Sequence, residues 1–394
     1  MGTIVTRWTV FFLAGIFLLL NLCVPGAQAQ KVIKLGWSNP LTGPAGAWGL
    51  MNQAMFEASK TFINKKGGIT VKGQNYKYEF IYADDKYTVT GGRAAGEKLI
   101  YNDKVHFLVG QFGVEPLAGW APLAHKEKIL AITGGSSILP KPEYPYVFHF
   151  SGTNNERSLS MCRVLKEKLG VKSTLYIMTD DLVGRVAQDD ATKNREERGL
   201  EVKGTVLVPP NTKDFYPFLN QELKSNPDSI QCTLPPGLIA LVVKQARELG
   251  FKGYIASATA VPADLEKWQG ITGVEASKGY IGIMVSREEY SPLGLEFQDL
   301  YDSMKLKYKM SDIAYVMMPY VLKVAIEKTQ SFDSDQILKV LRNDEFTGFF
   351  KVPVKAGGEK TFGIKNHIAT PIPYSIITGL GQIKYLGSAL VETP

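Results

Sequence analysis

Short apolar runs typical of buried strands alternate with helical patterns along most of this sequence. The first run, VIKLGWS at 32–38, precedes apolar residues at positions 51, 54, 55, 58 and 62, which recur with the period of a helix. Three more runs follow, YEFIYAD, VHFLVG and KILAIT, with helical segments between them. Because such alternation requires crossover connections, it predicts an α/β fold with a doubly wound parallel sheet.

The same alternation begins again after YVFHFSGTNNE. The runs TLYIMT, VKGTVLV, SIQCTL and GYIASA each precede a helical stretch, such as IALVVKQARELG. The chain is long enough for two hydrophobic cores. We therefore expect two similar α/β units, with a seam at 150–154.

The last third of the chain departs from this alternation. The run GYIGIMV is followed by helical stretches at 292–308, 312–329 and 333–343, and then by the short strand patterns FFKVPV, PYSIIT and IKYLG. These pieces either form a third domain or return to complete the two units. We adopt the second interpretation, in which these pieces complete the two units. It predicts a first lobe of 30–150 plus about 284–345 and a second lobe of 151–283 plus about 346–394.

The first 29 residues have the pattern of a secretory signal peptide. Arg7 precedes an apolar run from Val10 to Leu20, and the segment ends in the small-x-small sequence Ala27-Gln28-Ala29. We expect cleavage after Ala29 and a periplasmic mature protein; the alternative is an uncleaved membrane anchor. Two cysteines then remain, at 162 and 232, in apolar surroundings. We interpret them as buried thiols, with a single bridge left open.

The sequence contains no recognisable catalytic motif. Four histidines occur, none in a metal-binding pattern, and the G-x-S-x-G, P-loop and G-x-G-x-x-G patterns are missing. The pairs Asp84-Asp85 and Asp180-Asp181 stand at strand ends, where turn or cap roles are the simpler interpretation. Basic residues are scattered although the net charge is +7. We expect no enzyme activity, no cofactor, no metal and no nucleic-acid partner.

Small and polar residues follow four of the predicted strands, in SNPLTGPAG, GQFGVEP, TGGSS and MTDDLVG. Ligands of open α/β sheets lie beyond the carboxyl ends of the strands. Exposed N–H groups and the hydroxyls of Ser136 and Ser137 favour an anion such as a carboxylate. The alternative is that GGSS is a plain loop or helix cap.

These segments resemble the periplasmic leucine/isoleucine/valine-binding proteins, the type I solute-binding components of ABC importers. The resemblance lies in IKLGWSNPLTGPAGAWGLMNQAMFEASKTFINKKGGI, YADDKYTVTGGRAAGEKLI, VHFLVGQFGVEPLAGWAPLAHKEKILAITGGSS and IALVVKQARELGFKG. It extends to about position 328. It implies two lobes joined by three crossovers, which close around a ligand by a hinge.

The resemblance also implies roles for individual residues. Gly135 and Ser137 would bind the ligand carboxylate, with Ser136 beside them in the same loop. Trp48 would line the pocket from the first loop, and Tyr315 would form an aromatic wall. Without the resemblance, Trp48 reads as a half-buried core aromatic and Tyr315 as a helix-core residue.

Other positions depart from the family pattern. Val114 stands where a ligand-binding serine is usual, and Val183 and Pro235 stand at tyrosine positions. Thr259 replaces the acid that pairs with an α-ammonium. We therefore expect the ligand's carboxylate end to be recognised and its ammonium end not to be, unless Glu115, Asp180 or Asp181 supplies the charge.

The resemblance implies a monomeric receptor that delivers a small carboxylate or amino acid to an ABC permease and ATPase complex. The sequence leaves two alternatives open, a sensory ligand-binding module with the same fold and a periplasmic hydrolase.

Overall fold

The computed structural model describes residues 30–394 except positions 44, 136–137, 194–197, 259–264, 285, 309 and 311–312. The predicted signal peptide, Ser136, Ser137 and Thr259 therefore lie outside the described residues.

Strands and helices alternate along most of the described chain. The described strands are β1 (Lys31–Asn39), β2 (Ile69–Val71), β3 (Gln74–Asp84), β4 (Phe107–Gln111), β5 (Ala131–Thr133), β6 (Val147–Phe150), β7 (Ser173–Thr179), β8 (Glu201–Val208), β9 (Ser229–Thr233), β10 (Tyr254–Ser257), β11 (Tyr280–Ile283), β12 (Glu345–Phe346), β13 (Val354–Gly357), β14 (His367–Ile368), β15 (Ile372–Gly379) and β16 (Gln382–Ala389). The described α-helices are α1 (Gly46–Lys65), α2 (Val89–Glu97), α3 (Val114–Lys126), α4 (Asn154–Leu169), α5 (Leu182–Lys193), α6 (Tyr216–Glu222), α7 (Pro236–Glu248), α8 (Leu265–Thr272), α9 (Val274–Ser277), α10 (Pro292–Ser303), α11 (Ile313–Thr329), α12 (Ser334–Asn343) and α13 (Glu359–Phe362).

The described strands form two sheets. The order in the first is β12-β13-β14-β6-β5-β4-β1-β3-β2, and in the second β16-β15-β11-β10-β9-β7-β8. The pairs from β14 to β3 in the first sheet and from β11 to β8 in the second are parallel. The remaining pairs, which involve β2, β12, β13, β15 and β16, are antiparallel. Helices connect the successive parallel strands except β5 and β6, between which no helix is described. This arrangement confirms the predicted pair of doubly wound α/β units.

Side chains of the first sheet alternate between two apolar layers. In β4, Phe107 and Val109 pack with residues of α1, α10, α11 and α12 in one cluster. Leu108 points to the other face and packs with residues of α2 and α3 in a second cluster. This alternation arises because successive side chains of a strand point to opposite faces, so a strand covered on both sides is apolar throughout.

Three segments connect the two units: 151–153, 284–291 and 369–371. The first and third follow β6 and β14, which are hydrogen-bonded neighbours, with His149 opposite His367 and Phe150 opposite Ile368. The second leads from β11 of the second sheet to α10 on the first. The chain therefore crosses three times, as the resemblance implied.

The third crossover lies later in the chain than expected from sequence. The sequence pattern assigns residues from about 346 onward to the second lobe, but β12, β13 and β14 belong to the first sheet. Only β15 and β16 join the second. Strands this short have no hydrophobic pattern that selects one sheet, so backbone pairing decides. We propose lobe boundaries of 30–150 with about 284–368, and 151–283 with about 372–389.

Two further observations bear on the expectations from sequence. Cys162 and Cys232 are both free and buried, so the open question of a bridge between them is answered. Within the described part of the chain, no helix combines the length and apolarity needed to cross a membrane.

Candidate functional site

The strand order of the first sheet reverses beside β1. The chain passes from β1 outward to β3 and then returns to β4 on the opposite side of β1. Loops after β1 and β4 therefore leave in different directions. Ligands of this architecture usually bind in the crevice between such loops, at the carboxyl ends of the strands. The side chain of Asn39 ties the two strand ends together by donating to the Gly110 carbonyl oxygen at 2.9 Å.

Asp84 and Asp85, at the end of β3, accept hydrogen bonds that stabilise the neighbouring turns. The Asp84 carboxylate accepts hydrogen bonds from the backbone N–H of Leu41 at 2.9 Å and of Lys86 at 3.0 Å. Asp85 accepts from Ser38 Oγ and from the Tyr87 N–H, both at 2.9 Å. These contacts confirm the interpretation of the pair as turn residues.

Three aromatic rings meet where the loops after β1, β3 and β4 converge. The centroid of Trp48 lies 5.9 Å from that of Phe112 and 6.4 Å from that of Tyr87, in edge-to-face geometry. The Tyr87 and Phe112 centroids are 5.9 Å apart. We call these three residues the aromatic cup. Trp48 is 54% exposed and is absent from the buried hydrophobic core clusters of the described residues.

The glycine loop after β5 lies beside the cup. A Cβ added to Gly135 would stand 3.3 Å from Cδ2 of Phe112 and 3.5 Å from the Tyr315 hydroxyl oxygen. Gly134 is packed so closely on the Tyr315 ring that its Cβ would be 2.8 Å from Cε1. The structure therefore brings together Trp48, Gly135 and Tyr315, with Tyr315 buried behind the loop.

The other predicted site residues are less closely grouped. Val114 begins α3, directly after Gly113, and is 42% exposed. Val183 lies in the first turn of α5, on the second unit. Ser136, Ser137 and Thr259 stay predictions, because they lie outside the described residues.

Sequence reasoning missed two members of the cup, Tyr87 and Phe112. Each lies within three residues of a strand end, Tyr87 in ADDKY and Phe112 in GQFG. An aromatic residue just beyond the carboxyl end of a parallel strand is the signal that could have found them. Only the tertiary structure shows that their rings meet Trp48.

The acids named as substitute ammonium partners are placed differently. Asp180 pairs with Arg185 at 2.7 Å, and Asp181 accepts from the Gly184 N–H at 2.9 Å, as a cap of α5. Glu115 lies in the first turn of α3, and its charge contributes, after burial, to a raised pKa of Tyr87. Glu115 is thus the acid of the three whose charge acts on a residue of the cup.

Burial raises the pKa of Asp85 to about 6, because it outweighs the opposing hydrogen bonds from Tyr87 and Ser38. The contribution of Asp85 to the free energy of unfolding is therefore fully present below about pH 4, the ordinary pKa of an aspartate. It is lost as the pH rises through 6 and the buried carboxyl ionises. Asp85→Asn removes the buried charge. We expect the stability of the variant relative to the wild type to increase by on the order of 1–2 kcal/mol between pH 4 and pH 8.

Urea unfolding of both proteins at several pH values measures this difference. A difference that does not change with pH would show that Asp85 is ionised throughout that range in the folded protein.

No group of His, Cys, Asp and Glu side chains within the described residues is arranged to hold a metal ion. The cup instead offers ring faces and edges, with the glycine loop beside them.

Two mainly parallel α/β units, three crossovers and a switch point beside β1 define a type I periplasmic binding protein fold. The sequence matches the family described as periplasmic binding protein over residues 32–371. The chain belongs to this family.

Individual relatives are distant in sequence. A leucine-, isoleucine-, valine-, threonine- and alanine-binding protein of Pseudomonas aeruginosa is 22% identical over 326 residues, covering 81% of this chain and 84% of the relative. A leucine-binding protein structure from Thermotoga maritima has 22% identity and a TM-score of 0.69, covering 92% of this chain and 99% of its own. A solute-binding protein of an R. palustris ABC transporter, in complex with 4-hydroxybenzoate, has 21% identity and a TM-score of 0.70, covering 91% and 97%.

Proposed function

We propose that this protein is a periplasmic solute receptor of an ABC importer, and that its ligand is a small aromatic carboxylate. The observation that carries the proposal is the aromatic cup beside the Gly135 loop, at the switch point of the first sheet. The receptor would act as a monomer, without chemistry, and would deliver the ligand to a membrane permease with its ATPase.

Two features support an aromatic ring in the ligand. Edge-to-face contacts between aromatic rings at centroid distances of 4.5–7 Å are favourable beyond the area they bury. Trp48 exposes half of its surface, so it can contact a ring that enters the crevice. The R. palustris relative, with the same fold, has 4-hydroxybenzoate bound.

The distribution of acids supports a ligand that lacks an α-ammonium. A buried ammonium needs an anionic partner, since leaving it unpaired costs several kcal/mol. Asp180 and Asp181 are engaged within the second unit, by Arg185 and by the first turn of α5. Because some relatives bind amino acids, Glu115 is the residue to test as an ammonium partner, since its charge acts on Tyr87 of the cup.

The mechanism we propose is hinge closure. The ligand would bind first to the cup and the loop around Gly135 and Ser137. Residues of the second unit, including Val183 and Thr259, would then cover it. Ligand contacts that exist only in the closed form shift the equilibrium toward that form, by an amount equal to the ligand's differential affinity for the two states.

Thermal unfolding with a panel of ligands tests the ligand class. The panel contains benzoate, 4-hydroxybenzoate, an aliphatic carboxylate and the amino acids leucine, isoleucine and valine. We expect the aromatic carboxylates to raise the unfolding temperature most. Stabilisation by the three amino acids alone would contradict the proposal.

Trp48→Ala tests the cup. A truncated aromatic contact at a binding site typically costs about 1.4–2.8 kcal/mol, so the affinity for 4-hydroxybenzoate should fall about tenfold to a hundredfold. Trp48→Phe, which keeps a ring, should retain most of the affinity. Because Trp48 is half exposed, neither change should move the stability of the free protein by more than about 0.5 kcal/mol.

Glu115→Gln is the matched control for the ligand class. Loss of the Glu115 charge should leave the affinity for 4-hydroxybenzoate within about threefold of the wild-type value. This corresponds to a change in binding free energy of less than about 1 kcal/mol. If the variant instead loses binding to an amino acid that stabilises the wild type, Glu115 is the ammonium partner and the ligand is an amino acid.

A further inference from the structure

A buried chain of hydrogen bonds begins at the glycine loop of the site. Nε2 of His149 lies 3.0 Å from the carbonyl oxygen of Gly135, and Nδ1 of His149 lies 2.8 Å from Nδ1 of His367. Nε2 of His367 lies 2.7 Å from Oε1 of Glu156. All three side chains are almost completely excluded from solvent. We call this the histidine chain.

The order of protons in the histidine chain follows from the group at its first end. A carbonyl oxygen only accepts, so His149 donates from Nε2 to Gly135. Burial, then the nearby His367, lowers the pKa of His149 to about 3, so this ring is neutral and its Nδ1 is bare. His367 therefore donates to it from Nδ1.

The other end of the chain is an ion pair. Burial acts to raise the pKa of Glu156, but the hydrogen bond from His367 and further hydrogen bonds from Thr393 and Thr153 outweigh it and lower the pKa overall. The Thr153 N–H donates to Oε2 at 2.8 Å. Glu156 is thus a carboxylate that only accepts, so His367 also donates from Nε2 and has both nitrogens protonated.

The ion pair joins the two units. His149 and His367 lie opposite each other on β6 and β14 of the first sheet. Glu156 lies in the capping box that begins α4. That helix is fastened to the second sheet, since the Tyr374 hydroxyl of β15 lies 2.6 Å from Ser160 Oγ and donates to the Arg157 carbonyl at 2.7 Å. The bond therefore spans the first and third crossovers.

We infer that His149 and His367 are positioning residues, which couple the Gly135 loop of the ligand site to the hinge through a fixed order of protons. The inference rests on the proposed function, since the hinge is taken to close on a ligand. Rotation of α4 relative to the first sheet would change the length of the hydrogen bond between Glu156 and His367. The histidine chain connects that bond to the carbonyl oxygen of Gly135 in the binding loop.

Nitrogen-15 NMR of the histidine rings tests the proton order in the free protein. The chain has four histidines, and variants at positions 149 and 367 assign their signals. From the hydrogen-bonded partners we expect a proton on Nε2 and none on Nδ1 of His149, and a proton on each nitrogen of His367. In Glu156→Gln the amide can donate to His367, so that ring should become neutral. A proton on Nδ1 of His149 would overturn the inference.

Binding measurements test the coupling, with 4-hydroxybenzoate as the probe. His149→Leu leaves the Gly135 carbonyl without its donor and should weaken binding about tenfold, whereas His149→Gln keeps a donor and should restore most of the affinity. His125→Gln, at an exposed ring on α3, is the control and should bind as the wild type does. Equal affinity of wild type and His149→Leu would overturn the inference.

Failure of the ligand class is distinguishable from failure of this inference. If no acid of the panel binds to the wild type, the proposed function is wrong in its ligand, and the spectra of the free protein still decide the proton order. If 4-hydroxybenzoate binds but the variants do not differ, the receptor function stands and the coupling is rejected.

Discussion

Replacing Phe297 by alanine is expected to destabilise the first unit by about 3–5 kcal/mol. Phe297 lies on α10 and is completely buried. Its ring stacks on Phe349, with centroids 4.9 Å apart, and meets the edge of Phe62 of α1 at 5.5 Å. The large effect is expected because the substitution removes these contacts and leaves a cavity among helices that cannot collapse freely.

Urea unfolding followed by tryptophan fluorescence measures this loss. Trp37 and Trp120 are buried in the first unit and report its unfolding. Leu380→Ala, at a residue that is 58% exposed in the turn between β15 and β16, should change stability by less than about 0.5 kcal/mol. A loss below about 1 kcal/mol for Phe297→Ala would mean that α10 does not complete the core of the first unit.

The second large effect is expected for Gly92→Ala, at the contact between α2 and α3. A Cβ on Gly92 would stand 2.3 Å from the carbonyl oxygen of Pro116, and one on Gly119 would stand 2.2 Å from the carbonyl oxygen of Val89. Both collisions involve backbone atoms, so the helices must move apart. We expect a loss of about 3 kcal/mol, at the upper end for overpacking.

Gly270→Ala is the matched control for this change. Gly270 lies within α8, is exposed, and a Cβ there meets no atom within 4 Å. The substitution should stabilise the protein by about 0.5–1 kcal/mol, through helix propensity alone. Opposite signs in the two unfolding experiments would support the close helix contact. Two gains of similar size would show that α2 and α3 have room between them.

The local features of this fold were largely readable from the sequence. The strand and helix patterns predicted both α/β units, and the helices expected at 312–329 and 333–343 are α11 and α12. Asp84, Asp85 and Asp181 act as the turn and cap residues that their positions indicated. These features depend on residues close together in the sequence, so their physical causes are visible in it.

The candidate site was only partly readable. The glycine loop at Gly135 was predicted from its position after a strand, and Trp48 through the family resemblance. The structure places the loop after β5 and Trp48 in the first turn of α1, both at the carboxyl ends of strands of the first sheet. Tyr87 and Phe112 were not predicted, because each belongs to a different β-α connection. Their rings meet only after the strand order of the sheet brings three loops to the same edge.

By itself, the sequence determined the alternation of strands and helices, the chemistry at the strand ends and the division into two units. These follow from hydrophobic periodicity and turn residues, which act over a few positions. Only the tertiary structure decided that β12, β13 and β14 join the first sheet, and that His149 meets His367 across 218 positions. Both depend on backbone pairing between distant strands, whose register is set by the packing of the whole sheet.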